Sequence, residues 1–497
     1  MKKIFLALAC ATLVLWAPAC NNVSGEDDNN IVNITLEVAP EKVVFTAEGG
    51  VEAVTISTDG DSWDFTNAAS WLEVYANGSE LTLVALDYYG KVNRNGEVVV
   101  IATKGADFVK KSIVVEQVAP GGSSSDGDAN FECEVFKQIV LDNYDQNNDG
   151  SLSAEEAAVV TDLTLTYEEN GEYGKITSLA GIKNFKNLVN LDCDYNAISK
   201  LDLSGMEKLE YVDCSHNTIA EINVNNCPNL KWLYANMNSV STLHLDGCNK
   251  LMTLQAYKNS ISSLDVSGLQ DLEYFDLMFN TLTEVRFNDC PKLKVAALGN
   301  NKLMSLELRG LPAMYTLGCY SNNISSLDLS ELPNLEMLEC YNNNISSLDL
   351  SKNAKLATLT CQNNLISELN IEGCSALKKL DCENNRLSGT LDTSAYPKLY
   401  YLYCGGNNIS ELVINNNTAL TDVDCANTQI TALNISSLVE LTSLKANDCR
   451  LVELDASNNL KLATLYLQGN PLAKLVLANG QSINDLKLDN HDVIEYK

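Results

Sequence analysis

The chain is 497 residues long, and 65 aspartates and glutamates against 34 lysines and arginines leave a formal charge of −31. A surface this acidic is repelled by phosphate backbones, which excludes nucleic acid as a ligand class and favours basic or neutral partners. The length exceeds what one ordinary hydrophobic core fills, so two or more folded units are expected.

Residues 1–19 carry Lys2 and Lys3, an apolar run over 4–16, and Ala17-Pro18-Ala19 just before Cys20. That is a secretory signal, too short to remain as a membrane span. Because it ends at a cysteine it resembles a lipoprotein signal, which implies acylation of Cys20; ordinary cleavage to a soluble secreted form is the alternative. Residues 20–33 form a polar tether. Its Ser24-Gly25-Glu26-Asp27-Asp28 resembles the acidic tract that sends lipoproteins of gut Bacteroidota-type bacteria to the outer face of the cell, and a merely solvated linker is compatible with that.

From 34 to 118 the pattern alternates apolar and polar over 34–38, 51–56, 81–85, 98–102 and 112–116, between turns rich in Gly, Asn and Asp. Seven or so short strands at this spacing predict a β-sandwich of about 90 residues. The landmarks Phe45-Thr46-Ala47-Glu48-Gly49-Gly50, Ser62-Trp63, Ser70-Trp71-Leu72, Asn93-Arg94 and Val115-Glu116-Gln117 resemble the BACON domain, an Ig-like module of surface and secreted glycan-handling proteins. Trp63 and Trp71 are candidates for stacking on a sugar, but Trp in a small sandwich more often supplies buried area. A spacer is therefore the preferred role.

Residues 119–130 read as a flexible linker. Phe131, Val135, Phe136, Ile139, Val140 and Tyr144 then recur at helical spacing, predicting an amphipathic helix over 131–144. It leads into residues 145–156, which match D-x-N-x-D-G-x-L-S-x-x-E, an EF-hand calcium loop. Asp145, Asn147, Asp149 and Ser153 supply side-chain oxygens or hold a water, Ser151 offers its carbonyl and Glu156 closes the site bidentately. Gly150 permits the sharp turn. No second such loop follows, so a paired calcium sensor is excluded. The position of the loop, just before the first repeat, is where a stack of repeats must cover its apolar end. Residues 131–187 resemble the EF-hand-like cap of internalin-like proteins, with Ile176-Thr177-Ser178-Leu179-Ala180-Gly181-Ile182, Phe185 and Leu188 at the junction, which implies one structural Ca2+. A regulatory calcium and a metal-free turn are the alternatives.

Over 188–497 one pattern, L-x-x-L-x-(C/L/A)-x-x-N-x-(I/L/V), is repeated fifteen times. The period is 21 residues, lengthened to 22 between Asn385 and Asn407, and Thr428, Cys449 and His491 fill the asparagine slot in three coils. Strict spacing of this kind marks a solenoid whose coils bury their apolar sides only by stacking. The pattern resembles the leucine-rich repeat family. In Leu338-Glu339-Cys340, alternation sends Leu338 and Cys340 inward and Glu339 outward, as a short parallel strand requires. The asparagine three residues after that cysteine is predicted to bond backbone groups of adjacent turns. Eight of the sixteen cysteines share one inward slot and four more share another, so they read as buried free thiols and not as a disulfide framework.

Outward positions on the strands are rich in aromatics. Tyr211, Trp232, Tyr234, Tyr257, Tyr274, Phe279, Tyr315, Tyr320, Tyr341, Tyr400, Tyr401 and Tyr403 are assigned to a concave ligand-binding face, with acidic residues interspersed. Mutual packing of these rings on a solvated sheet is the alternative. For catalysis there is little: His216, His244 and His491 lie on distant coils, and no nucleophile or metallohydrolase motif appears. The expected architecture is an Ig-like β-sandwich followed by an α/β leucine-rich repeat solenoid with a helical EF-hand-like N-terminal cap. The expected function is non-enzymatic recognition of a protein ligand or adhesion at the outer membrane, anchored by lipid alone. Carbohydrate capture for a glycan-uptake system is the alternative, and glycan hydrolysis a remote one.

Overall fold

The structure is a computed structural model and describes residues 34–89, 93–105, 107–118, 130–168 and 173–497. The signal, Cys20 and the 20–33 tether lie outside the described residues, as does the linker over 119–129. The chain divides into two compact units, Met1–Asp126 and Gly127–Lys497.

In the first unit the alternating stretches form eight strands: β1 (Leu36–Ala39), β2 (Lys42–Phe45), β3 (Gly50–Thr58), β4 (Ser62–Asn67), β5 (Leu72–Asn77), β6 (Glu80–Ala85), β7 (Arg94–Lys104) and β8 (Asp107–Gln117). They make two four-stranded sheets, in the orders β1-β3-β6-β5 and β2-β8-β7-β4. Every second residue points to one shared core, for example Val98, Val100 and Ala102 of β7 against Val54 and Ile56 of β3. Pairing is antiparallel except between β2 and β8. The hairpin strands β7 and β8, eleven residues each, are longer than the sequence pattern indicates, because their ends alternate too weakly to read.

The second unit begins with helix α1 (Glu134–Tyr144), helix α2 (Ala154–Ala158) and strand β9 (Asp162–Thr164). The first helix starts three residues later than predicted. Cys133 is extended there, makes no side-chain cap, and its sulfur instead accepts the Thr177 N–H at 3.5 Å. Phe131 stays outside the helix, edge-on to Phe136 at 5.2 Å. From β9 onward each coil adds one three-residue strand to a sixteen-stranded sheet that is parallel throughout. At roughly 4.8 Å per strand these sixteen strands extend about 70 Å. Leu338 pairs in register with Leu317 and Leu359, and each is fully buried. The return segments of most coils, I-S-S-L-D-L-S and its variants, make a second set of short sheets of two or three strands. One continuous apolar core runs from Phe136 and Val140 of α1 through the repeats to Leu477.

The asparagines form the expected ladder. Asn343 donates its amide to Cys319 O and Cys340 O, both at 3.0 Å, and to Tyr341 O at 3.3 Å, while its oxygen accepts the Ile324 N–H at 3.0 Å. At Cys449 a thiol takes over part of the role, donating to Cys425 O at 3.2 Å. His491 does not join: it opens a short 3-10 turn and is exposed.

The second inward slot, which the sequence shows as a cysteine row, also holds asparagines and is polar. Asn353 and Asn459 send their amides to Leu329 O and Ile435 O, 24 residues back. Cys227, Cys248, Cys290 and Cys374 occupy the same slot and aim their thiols at the carbonyl in the same relation. Cysteine and asparagine alternate here because both place a donor on one buried carbonyl; their common 21-residue phase was the available signal. All fourteen described cysteines are unpaired and buried.

Candidate functional site

Each strand of the long sheet presents its first and third residues outward, and the chain adds a further outward position two residues on. Register joins Tyr211, Trp232, Thr253 and Tyr274 into one row across adjacent strands. A second row runs Asp192, Asp213, Tyr234, Gln255 and Asp276. Tyr257, Tyr320 and Tyr341 belong to the third, just past the strand ends.

Three of the predicted face residues sit elsewhere. Phe279 occupies the turn residue before the buried Asn280, with φ +55°, and is 47% exposed at the rim. That turn residue has positive φ in coil after coil, whichever side chain it bears, so the ring is turned off the strand face. Tyr315 and Tyr400 precede their strands. Their carbonyls each take two N–H groups of the following coil, which breaks the alternation and leaves the rings at the sheet margin.

Several of the face aromatics touch one another. Tyr211 and Tyr234 approach at 5.6 Å, and Tyr401 contacts Tyr400 at 4.6 Å and Tyr403 at 6.1 Å. Tyr320 and Tyr341 stack face to face at 4.6 Å and 5°. The Tyr320 ring lies over Gly299, where an added Cβ would come within 2.5 Å of it. Both faces of Tyr320 are therefore covered.

Carboxylates set the electrostatics of this face. Burial pushes Asp276 and Asp381 above the usual carboxylate range. Burial, followed by the charges of Asp424 and Asp381, holds Glu383 up at about 7. Burial, and then nearby aspartates, raises Tyr211 and Tyr403 to about 12. The histidines are dispersed: His216 stacks on Tyr195 at 4.1 Å and His244 lies 3.4 Å from Glu221. Two clefts, of about 490 and 980 Å³, open among the return-segment strands and not on this face, around Leu264 and Leu433 respectively.

In the 145–156 loop, Asp145 accepts N–H groups of Asp149 and Gly150 at 3.2 and 2.9 Å, and Asp149 accepts the Ser151 N–H and hydroxyl at 2.8 and 2.7 Å. Glu156 reaches back to the Gln146 N–H at 2.8 Å and forms a capping box with Ser153 at the start of α2. Its side chain thus ties both ends of the loop together. These bonds, the backbone bond from Ser153 first among them, hold Glu156 below the ordinary carboxylate range; the Ser151 hydroxyl does the same for Asp149. Asp145, Asn147, Asp149, Ser151, Ser153 and Glu156 form an all-oxygen, anionic donor set, which suits a hard cation. Among the described residues, no three His, Cys, Asp or Glu side chains already stand close enough together to hold a metal.

In the first unit, Trp63 and Trp71 both pack against the core. Arg94 lies between the Trp71 and Tyr88 rings at 4.4 and 4.3 Å and donates to Gln117, which in turn donates to Thr46 O and Leu86 O. This network explains the Asn93-Arg94 and Glu116-Gln117 landmarks as a structural tie.

Known structures resemble the second unit. A domain of InlJ from Listeria monocytogenes, described as including a cysteine ladder, aligns with a TM-score of 0.55 and 27% identity over 69% of this chain and 72% of that one. This long stacked sheet with its buried asparagine row is a leucine-rich repeat solenoid. YopM, a leucine-rich effector protein from Yersinia pestis, shares the fold at a TM-score of 0.50 and 23% identity, over 61% of this chain and 83% of its own. No protein-family model and no curated protein sequence matches the chain. The solenoid has its own inward column of cysteines, Cys319, Cys340, Cys361, Cys382, Cys404 and Cys425 being consecutive members.

Proposed function

We propose that the leucine-rich repeat solenoid is a non-enzymatic surface that recognises a protein ligand through the outward face of its sixteen-stranded sheet. The observation that carries this reading is the set of rows on that face, in which half-buried tyrosines and Trp232 are interspersed with acidic residues, the buried Asp276 and Asp381 among them. Tyr and Trp joined to a polar rim is the composition of protein hot spots. Glycan capture is the weaker reading, since a sugar ring needs an open aromatic face. Tyr320 has none, and Trp63 and Trp71 of the first unit are engaged in its core. That unit, read as a BACON-like Ig-type spacer, would lift the solenoid from an outer membrane to which lipid on Cys20 anchors the chain.

The test is a parallel screen of the mature chain on glycan and surface-protein arrays, with a Trp232→Ala/Tyr234→Ala variant. Protein hits weakened at least tenfold in the variant are expected. Hits indifferent to it would remove the face assignment, and glycan hits lost with it would replace the reading by sugar capture.

We further propose one structural Ca2+ in the EF-hand-like loop, with Asp145, Asn147, Asp149, Ser151, Ser153 and Glu156 as its oxygen donors. The ion would draw the Asp145, Asp149 and Glu156 carboxylates of one twelve-residue loop onto a single positive charge. Calcium at a thousandfold excess over its Kd adds about 4 kcal/mol to folding, so the melting temperature is expected to rise in calcium and fall on chelation. Identical melting curves in millimolar calcium and in chelator would exclude the site.

A further inference from the structure

Around Asp381 the sheet face holds an imbalance that the solenoid does not itself neutralise. Asp381 and Glu383 stand on one coil, and Asp422 and Asp424 on the next coil but one, beside two cations, Lys379 and Lys445. Lys445 is committed to Asp424 at 3.3 Å. Asp381 is 7% exposed and accepts one long bond, 3.4 Å, from the Glu383 N–H.

A second, independent feature lies next to it. Thr360 is in register with Asp381 on the adjacent strand, is 5% exposed, and its hydroxyl has no hydrogen-bond partner. Gln362, one coil before Glu383, likewise has a buried amide oxygen without a partner. Buried polar atoms are rarely left in this state unless something else satisfies them. On the other side of Asp381 in the same row stands Tyr403, its ring within 23° of parallel to that of Tyr401.

We propose that this patch receives an arginine side chain of the protein partner, its guanidinium against Tyr403 and its N–H groups donating to Asp381 and Glu383, with Thr360 and Gln362 as further acceptors. The inference rests on the recognition role of the sheet face and names the chemistry of what it recognises. Guanidinium fits where ammonium does not. It offers five donors in a planar fork, stacks on aromatic rings and is weakly hydrated, whereas lysine brings three donors and a tighter water shell. The raised carboxyls of Asp381 and Glu383 show that burial here outweighs the help of the two lysines, and an arriving cation relieves that.

The experiment is calorimetric titration of the mature chain with a blocked peptide carrying three arginines spaced by glycine and serine. Parallel titrations use its citrulline and lysine counterparts. The citrulline peptide and the near-isosteric Asp381→Asn/Glu383→Gln variant are each expected to weaken binding at least tenfold, and Lys445→Ala to tighten it several-fold by removing a competing cation. A Glu368→Gln/Glu372→Gln variant, equal in charge but on an exposed return segment away from the sheet face, is expected to leave binding within twofold. Equal loss in both double variants, equal binding of citrulline and arginine, or a lysine peptide that binds as tightly would overturn the assignment. Circular dichroism melts confirm that each variant is folded. A protein partner lost in Trp232→Ala/Tyr234→Ala but kept in Asp381→Asn/Glu383→Gln sinks this inference alone, while one kept in both sinks the recognition face as well.

Discussion

Asn343→Ala is expected to destabilise the solenoid by about 3–4 kcal/mol, roughly half of it from one group. The Ile324 N–H has Asn343 Oδ1 as its acceptor and becomes a buried orphan, at a cost of about 1–3 kcal/mol. The three carbonyls are less exposed to loss. Cys319 O still accepts from Asn322 at 3.0 Å, Cys340 O from Asn364 at 3.0 Å, and Tyr341 O from the Ser321 N–H at 2.9 Å. Each therefore forfeits one of two donors, a few tenths to about 1 kcal/mol apiece. Asn343→Asp separates the two contributions, since it keeps an acceptor for Ile324 but turns a carboxylate toward three carbonyls. Urea unfolding is expected to rank wild type above Asn343→Ala and Asn343→Ala above Asn343→Asp. An aspartate variant as stable as wild type would contradict the ladder. Because coils contact only their neighbours, the loss is expected to appear first as local opening around this coil.

Glu383→Gln is expected to stabilise the protein above pH 7 and to do little below pH 5. The folded carboxyl is held at about 7, against an ordinary value of 4.5. Between those limits the folded chain keeps a proton that the unfolded chain has released, so stability falls as pH rises through this window. A shift of that size corresponds to about 3 kcal/mol without screening. Water reaching this half-buried group reduces it to about 1–2 kcal/mol. The groups responsible besides burial are Asp424 and Asp381, which repel the ionised form, and Lys445, which partly offsets them. Melting temperatures of the two proteins at pH 5, 6, 7 and 8 check this: the curves are expected to converge at the acid end and separate toward the alkaline end. Parallel curves would mean that Glu383 titrates normally.

The repeats, the inward leucines and cysteines and the asparagine row were legible because a stack imposes one environment on every twenty-first residue, and the same side chain recurs wherever the environment does. The division into an all-β first unit and a repeat unit was legible for a related reason, the change of apolar period from two to twenty-one near residue 130. The face was only half legible. Period predicts which residues leave the core; it says nothing of where a turn then throws them, and the positive φ before Asn280 carries Phe279 to the rim although its spacing matches the others. Neither could period show that Tyr320 covers Gly299 and Tyr341 covers Tyr320, since that depends on a missing Cβ two coils away from the stacked pair's outer ring. The amino-acid order by itself determined the coil, its length and the residues that close it. Only the stacked structure decided which side chains of different coils meet, and hence that Thr360, Gln362, Asp381 and Glu383 share one under-satisfied patch: their sequence environments are ordinary, and their desolvation is a property of neighbours 21 residues away.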